Sequence, residues 1–248
     1  MRRKLTGRMA FLSLHWWRTV FWLIPLISVF TVLLGTLSLA SVFVDRSGCL
    51  AHLCARGWSW LILATTGVRV KVTGRHLLES RRSYVFVSNH QSIYDFPILI
   101  TSIPFQLRII AKASLATFPV IGWHLRYAGH LLIDRTRAGM ATLNSVAALM
   151  KRGQSLIVFP EGTRSKNEKV LTVRRGLFLL AIRSGLPIVP VAVIGSHRVM
   201  AKGRLETCPG NVEVVIHSPL LTNELGRSDA RALADRARKV ISQTVESH

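Results

Sequence analysis

The chain has 248 residues, 49% of them hydrophobic, and its 33 lysines and arginines against 12 acids give a net charge of +21. Such an excess attracts nucleic acid or anionic lipid, but the chain has no zinc-finger or RNP-type signature and its N-terminal region is apolar, so we expect membrane lipid and no nucleic acid as a partner. The three cysteines have no CxxC spacing and the histidines have no metal-ligand spacing, so we expect neither a disulfide framework nor a metal site.

The N-terminal region is basic and then strongly apolar. Residues 1–18 contain four arginines and one lysine but no acid, and residues 20–44 contain no charged side chain. The apolar run is long enough to cross a bilayer as a helix, which Pro25 could kink, and the tryptophans near its beginning are typical of a membrane interface. A second apolar stretch, residues 50–68, is interrupted by Arg56, and its uncharged part is too short to span a membrane.

We therefore predict that residues 10–66 form a two-helix hairpin that enters the membrane and returns, with its basic beginning in the cytoplasm. Two alternatives remain open. One true span would put the rest of the chain on the other side of the membrane. A signal peptide is the second alternative, although the apolar run is long for one and no clean small-residue cleavage site follows it.

From residue 68 onward the sequence has the pattern of an α/β domain. Strands are predicted over 68–72, 84–87, 108–111, 130–133, 155–159, 188–194 and 211–217, and helices over 96–103, 117–128, 138–152, 174–184 and 228–245. Their alternation predicts a mixed, largely parallel sheet flanked by helices on both faces. Pro190, inside a predicted strand, indicates a sheet edge or a bulge. We expect two domains, the hairpin at 1–66 and the α/β domain at 67–248.

The stretch Asn89-His90-Gln91-Ser92-Ile93-Tyr94-Asp95 lies between a predicted buried strand and a predicted helix. Loops at strand ends carry much of the chemistry of α/β proteins, and the ordinary pKa of histidine suits a general base near neutral pH. A turn between the two residues would let Asp95 hold the His90 ring and set its tautomer. In the alternative interpretation, Asp95 caps the helix that Pro97 begins and His90 is an ordinary loop residue.

Two further predicted strands end in polar residues. GHLLIDR, at 129–135, ends in an Asp-Arg pair, and FPEGTRS, at 159–165, brings a glutamate, a threonine and an arginine out in one loop. The planar fork of Arg164 suits a phosphate, and backbone amides around the Gly162 turn can add to an anion site. Taken alone, the first segment could equally hold a surface ion pair and the second a polar loop. No glycine motif typical of nucleotide binding is present.

The segments NHQSIYD, GHLLIDR, FPEGTRS and, at 188–193, IVPVAV occur in this order. Together they resemble the four motifs of the glycerolipid acyltransferases, in particular the bacterial 1-acyl-sn-glycerol-3-phosphate acyltransferases. The resemblance covers roughly residues 65–220. The segments Lys112-Ala113-Ser114-Leu115 and Arg174-Arg175-Gly176 also resemble parts of the family pattern. The predicted hairpin is similar to the membrane-docking helices of the bacterial enzymes.

The resemblance implies an enzyme on the cytoplasmic face of the inner membrane that acylates the sn-2 hydroxyl of lysophosphatidic acid to give phosphatidic acid. His90, oriented by Asp95, would be the general base. An acyl thioester of coenzyme A or of acyl carrier protein would be the co-substrate, with no further cofactor. The implied acceptor-binding residues are Arg135, Glu161, Gly162, Thr163 and Arg164, with Lys112 as a further candidate for the phosphate site.

Within this implied site, Glu161 would orient Arg164 or the glycerol, because an anion is a poor neighbour for a phosphate. Two alternative functions remain. One is an acyltransferase for another lysolipid, such as lyso-ornithine lipid. The other is a non-catalytic module that uses its positive charge to bind anionic membrane lipids.

Overall fold

A computed structural model describes residues 13–133, 140–151, 154–165 and 169–248. Its N-terminal part is a hairpin of two helices, α1 (Leu14–Ser41) and α2 (Cys49–Thr66). Helix α1 contains a π-helical turn, Thr19–Leu23, directly before Pro25. A proline ring clashes with the carbonyl one turn earlier, and the wider π-turn accommodates it. The disturbance expected at Pro25 is therefore a local widening of the helix.

Helix α1 is long and apolar enough to cross a membrane, and it is the one described helix that meets both criteria. Its large side chains are mostly exposed rather than packed inside the protein; examples are Phe21, Trp22, Val29, Leu33 and Leu37. An exposed apolar surface of this extent marks a membrane or protein interaction site.

Helix α2 lies against the rest of the chain along its whole length. Near its beginning, the Arg108 guanidinium donates to the carbonyl of Ser47 at 2.8 Å. In its middle, Arg56 donates to the carbonyl of Ile103 at 3.2 Å. Towards its end, Ile62 and Leu63 are buried in the core of the α/β part. The hairpin is therefore held along the side of the α/β part and does not project from it.

Seven strands form the sheet that organises the rest of the chain. They are β1 (Val68–Thr73), β2 (Val85–Ser88), β3 (Leu107–Lys112), β4 (Leu131–Ile133), β5 (Ser155–Val158), β6 (Ile188–Ile194) and β7 (Gly210–Ile216). Their order is β1-β7-β6-β2-β5-β3-β4, and every neighbouring pair is parallel except β6 and β7. This confirms the predicted mixed, largely parallel sheet.

The helices that follow α2 are α3 (Asp95–Ser102), α4 (Ile121–Tyr127), α5 (Met140–Lys151), α6 (Gly176–Ser184), α7 (Ser196–Val199) and α8 (Ala230–Glu246). Successive residues of β2 point into two separate cores, Phe86 into one and Val85 and Val87 into the other. Helices α2 and α3 cover the first core, and α6 and α8 cover the second. Helices on both faces were predicted and are confirmed.

Pro190 was expected at a sheet edge or at a bulge, and the bulge is the alternative that the structure shows. Strand β6 is not at an edge, because it lies between β7 and β2. Between the Val191–Ile216 pair and the Ile188–Leu220 bridge, Val189 and Pro190 oppose the three residues 217–219. A second local prediction differs from the structure. The helix predicted over 117–128 begins only at Ile121, because Pro119 and the positive φ of 63° at Val120 interrupt it.

Candidate active site

The first and third motif loops leave the sheet side by side. Strands β2 and β5 are parallel neighbours, with Val87 level with Val158. The loop after β2 begins at Asn89 and the loop after β5 begins at Phe159. Parallel neighbours end at the same edge of a sheet, so sequence-distant segments meet there. A hydrogen bond from the Ser165 N–H to the His90 carbonyl, 2.8 Å long, joins the two loops directly.

His90 and Asp95 are brought together as the spacing predicted. His90 Nδ1 lies 2.8 Å from Asp95 Oδ2, which also accepts from the backbone N–H groups of Gln91 at 2.7 Å and Ser92 at 2.9 Å. These donors precede Asp95, so its carboxylate organises the loop and does not cap helix α3. Asp95 is fully buried, whereas the His90 side chain keeps 17% of its surface exposed. The histidine is therefore the member of the pair that a substrate can reach.

The His90 ring is held from one face as well as from one edge. It stacks on Phe159 with the ring centroids 4.1 Å apart and the planes 20° from parallel. With Nδ1 directed at a carboxylate oxygen, which only accepts, the proton of the neutral ring belongs on Nδ1 and the free lone pair on Nε2. The arrangement can therefore take a proton from a hydroxyl at Nε2.

Glu161 connects the two motif loops. Its Oε1 accepts from the backbone N–H of His90 at 3.1 Å, and the side chain is buried. Burial raises the pKa of Glu161 from 4.5 to about 7, in spite of nearby N–H groups that lower it. The expected contact with Arg164 is not among those of the described residues; Glu161 supports the chain at His90 instead.

The rest of the third motif forms a tight, cationic turn. Gly162 has a positive φ of 72°, and a Cβ placed on it would lie 3.4 Å from Nε of Arg174, whose guanidinium covers the turn. Thr163 is exposed and Arg164 is half-buried. Lys202 reaches the same turn from another part of the chain: its Nζ lies 2.9 Å from Thr163 Oγ1 and 2.7 Å from the Arg164 carbonyl.

The remaining predicted site residues lie further out or outside the described ranges. Lys112 is exposed and ends β3, two strands away from β2 in the sheet. At the usual spacing of neighbouring strands this is roughly 10 Å. Arg135 lies outside the described residues. The ligand roles assigned to these side chains stay predictions.

Three contributors to the site were missed in the sequence. Asn89 locks the loop that carries His90 to β6, donating to the Val193 carbonyl and accepting from the Val193 N–H, both at 2.8 Å. Phe159 supports the His90 ring, and Lys202 holds the third-motif turn. Each acts across at least 38 positions of the chain, so local spacing carries no sign of the contact. The one available signal for Lys202 was the Lys-Gly step, which is typical of a turn.

Comparison with known proteins agrees with this architecture. Residues 69–194, half of the chain and both motif loops, match the Acyltransferase family. The 1-acyl-sn-glycerol-3-phosphate acyltransferase alpha of Mus musculus is 37% identical over 177 residues, which are 69% of this chain and 62% of that protein. The chloroplastic 1-acyl-sn-glycerol-3-phosphate acyltransferase LPAT1 of Arabidopsis thaliana is 30% identical over 199 residues, 79% of this chain and 54% of that one. The chain spans about half the length of the curated relatives it matches.

A solved structure extends the similarity to most of the chain. The crystal structure of the 1-acyl-sn-glycerophosphate (LPA) acyltransferase PlsC from Thermotoga maritima has a TM-score of 0.77 and 26% sequence identity, and the match covers 90% of this chain and 95% of that one. The family match, the identity to several curated relatives and the shared fold lead to one conclusion: the chain belongs to the acyltransferase family.

Proposed function

We propose that the protein transfers a fatty acyl group from a thioester to the sn-2 hydroxyl of 1-acyl-sn-glycerol-3-phosphate, giving phosphatidic acid. The observation that carries the proposal is the buried Asp95 carboxylate on His90 Nδ1, which leaves Nε2 free beside a cationic turn. The names of the relatives support the choice of acceptor. The donor would be acyl-coenzyme A or acyl carrier protein.

In the proposed mechanism, His90 Nε2 accepts the proton of the sn-2 hydroxyl while that oxygen attacks the thioester carbonyl. Asp95 stabilises the imidazolium that forms and keeps the ring in place. When the tetrahedral intermediate collapses, the C–S bond breaks and the departing sulfur takes the proton back from Nε2. The ester and the free thiol are the products, and His90 returns to its starting state without a covalent acyl-enzyme.

The acceptor's phosphate would bind at the turn after β5. Arg164 lies in this turn and Arg174 lies over Gly162. An arginine fork can give a phosphate two charge-assisted hydrogen bonds, which are stronger than neutral ones. A lysolipid without a phosphate monoester would lose these bonds, so the site favours lysophosphatidic acid over lyso-ornithine lipid.

We also infer that the hairpin docks the enzyme on the cytoplasmic face of the inner membrane. Helix α1 offers an exposed apolar surface to lipid, while α2 is held along the α/β part by Arg56 and Arg108. A hairpin bound in this way would enter one leaflet and return, and the active site would stay on the side from which it entered. Lysolipid acceptors are membrane components, so docking brings the enzyme to its substrate.

The test is an assay of the purified full-length protein with vesicles that contain lysophosphatidic acid, lyso-ornithine lipid or monoacylglycerol, each crossed with acyl-coenzyme A and acyl carrier protein. Release of free thiol and the mass of the lipid product are measured together. We expect phosphatidic acid from lysophosphatidic acid, formed about 10²–10⁴-fold more slowly by His90→Ala. If the wild type prefers lyso-ornithine lipid, that lipid would take the place of lysophosphatidic acid as the proposed acceptor. Vesicle binding with no thiol release from any pair would make the protein a non-catalytic module.

A further inference from the structure

Lys202 lies in a β-turn that fixes the direction of its side chain. The Arg204 N–H donates to the Ala201 carbonyl at 3.1 Å, which closes a four-residue turn with Lys202 at its second position. Gly203, the third residue, has a φ of +86°, as the third residue of a type II turn requires. The second position of such a turn points its side chain outward from a fixed backbone, so the direction of Lys202 is set by the chain around it.

The turn is fastened to the catalytic loop. Ser92, two residues after His90, donates from its hydroxyl to the Met200 carbonyl at 2.8 Å. The Cys208 N–H donates to the Val199 carbonyl, also at 2.8 Å, and ties the far end of the segment back to α7. Lys202 therefore has a defined position relative to His90, although 112 positions separate them in the sequence.

The Lys202 ammonium has three N–H donors and two of them are used by the protein. One donates to Thr163 Oγ1 at 2.9 Å and one to the Arg164 carbonyl at 2.7 Å. No other group in the described part of the chain accepts from Nζ. Among the described residues, the third N–H therefore has no acceptor.

Among the described residues, no acid forms an ion pair with this ammonium or with the arginines beside it. Arg164 and Arg174 border the third-motif turn around Gly162, which Lys202 contacts. Like charges repel, so three cations at one turn are costly without an anion between them. A single phosphate monoester, with its three terminal oxygens and its double charge, offers acceptors to all three.

We propose that Lys202 is a phosphate-binding residue of the acceptor site, donating its third N–H to the phosphate monoester of the acceptor while its other two N–H groups hold the turn that carries Arg164. The inference deepens the proposed function and rests on it in assigning the phosphate to a lysophospholipid. Coenzyme A also carries a phosphate monoester, so the experiment separates the acceptor from the donor.

The variant is Lys202→Met, which keeps the length of the side chain and removes the charge and all three donors. Arg204→Met is the matched control, because it removes the same charge from the same turn at an exposed position. We expect Lys202→Met to raise the KM for lysophosphatidic acid by about tenfold or more, as loss of one charge-assisted hydrogen bond predicts. The KM for the acyl donor should stay within about twofold for both variants, as should the acceptor KM of Arg204→Met.

Lys202→Arg provides a variant that retains the charge, and monoacylglycerol provides an acceptor that lacks the phosphate. We expect Lys202→Arg to recover part of the acceptor KM, and monoacylglycerol binding to be unaffected by Lys202→Met. An equal loss for both acceptors would reduce Lys202 to a support of the turn and overturn the proposal. A rise confined to the KM for acyl-coenzyme A, absent with acyl carrier protein, would assign the phosphate to the donor and overturn it as well.

A wild type that does not acylate lysophosphatidic acid would refute the proposed function without deciding the anion site. In that case glycerol 3-phosphate is titrated calorimetrically into the full-length wild type, Lys202→Met and Arg204→Met. Binding by wild type and by Arg204→Met, weakened about tenfold in Lys202→Met, supports the phosphate site. Equal binding by all three, or no binding by wild type, overturns it.

Discussion

The backbone N–H of His90 and the carboxyl of Glu161 are joined by a hydrogen bond of 3.1 Å, so the third motif supports the chain at the proposed general base. Glu161→Ala removes this acceptor and should lower kcat on the order of 10–100-fold through displacement of His90. Glu161→Gln keeps an oxygen in place and should retain kcat within about fivefold on the same reasoning. Steady-state kinetics of the two variants test this. Equal damage by both substitutions would assign Glu161 a charge-dependent role instead.

The same carboxyl should make stability depend on pH. Burial raises the pKa of Glu161 from 4.5 to about 7, so between these values the folded state binds more protons than the unfolded state. Stability then falls as the pH rises through this interval and stays low above it. Glu161→Gln lacks this ionisable group, so its Tm minus that of wild type should increase by at least about 2 °C from pH 4.5 to pH 8. A change of about 1 kcal/mol in the free energy of unfolding corresponds to such a shift. A Tm difference that does not change with pH would contradict the prediction.

The dyad makes a sharper kinetic prediction. His90→Ala should lower kcat by about 10²–10⁴-fold, the usual contribution of a general base. Asp95→Asn should cost a comparable factor, because an amide can leave the ring in the wrong tautomer or position. Both proteins should still bind vesicles like wild type. Retention of more than roughly a tenth of the wild-type rate in His90→Ala would exclude His90 as the base.

Arg164 should matter through the phosphate of the acceptor. Loss of a charge-assisted bond of roughly 1.5–3 kcal/mol should lower kcat/KM for lysophosphatidic acid in Arg164→Ala by at least about tenfold. Arg164→Lys should recover only part, because an ammonium keeps the charge without the fork. The measurement compares lysophosphatidic acid with lyso-ornithine lipid for wild type and both variants. Equal losses with the two acceptors would make the phosphate assignment wrong.

The hairpin can be tested by labelling single cysteines with a membrane-impermeant maleimide after Cys49, Cys54 and Cys208 have been replaced. We expect Leu14→Cys and Arg75→Cys to be unreactive from outside intact cells and reactive in lysates, because the proposed docking puts both ends of the hairpin on the cytoplasmic side. Phe43→Cys, in the turn between α1 and α2, should react only after detergent is added. Reaction of position 75 alone from outside would establish a true span.

The parts of the fold that depend on near neighbours in the sequence could be predicted. Buried apolar runs such as Val85 to Val87 set the strands, and the turn between His90 and Asp95 followed from a five-residue spacing. The position of a strand in the sheet is a long-range property, which is why the sequence left both an edge and a bulge open for Pro190, and the edge is not what the structure shows. Its bulge was predictable, because a missing N–H disturbs the ladder wherever the strand lies.

The site divides in the same way. The residues His90, Asp95 and Arg164 could be proposed from the sequence because each lies in a local pattern of charge and turn residues. The contacts of Asn89 with Val193 and of Lys202 with Thr163 depend on how β2, β5 and α7 meet in space. Glu161 was proposed as a site residue from the sequence, but its hydrogen bond to the His90 N–H was not predicted, because that group lies 71 positions away in the chain.

The position of β1 has a consequence for the order in which the protein matures during synthesis. At the edge of the sheet, β1 pairs only with β7, which is made some 140 residues later. On the ribosome, α1 and α2 emerge long before the strand that fastens β1, and the Lys202 turn also precedes β7. A nascent chain can therefore reach the membrane through its apolar hairpin while its sheet is still open at this edge. For the proposed acyltransferase, attachment to the bilayer would come first and catalytic competence last, so that the active form would first arise beside its lipid substrate.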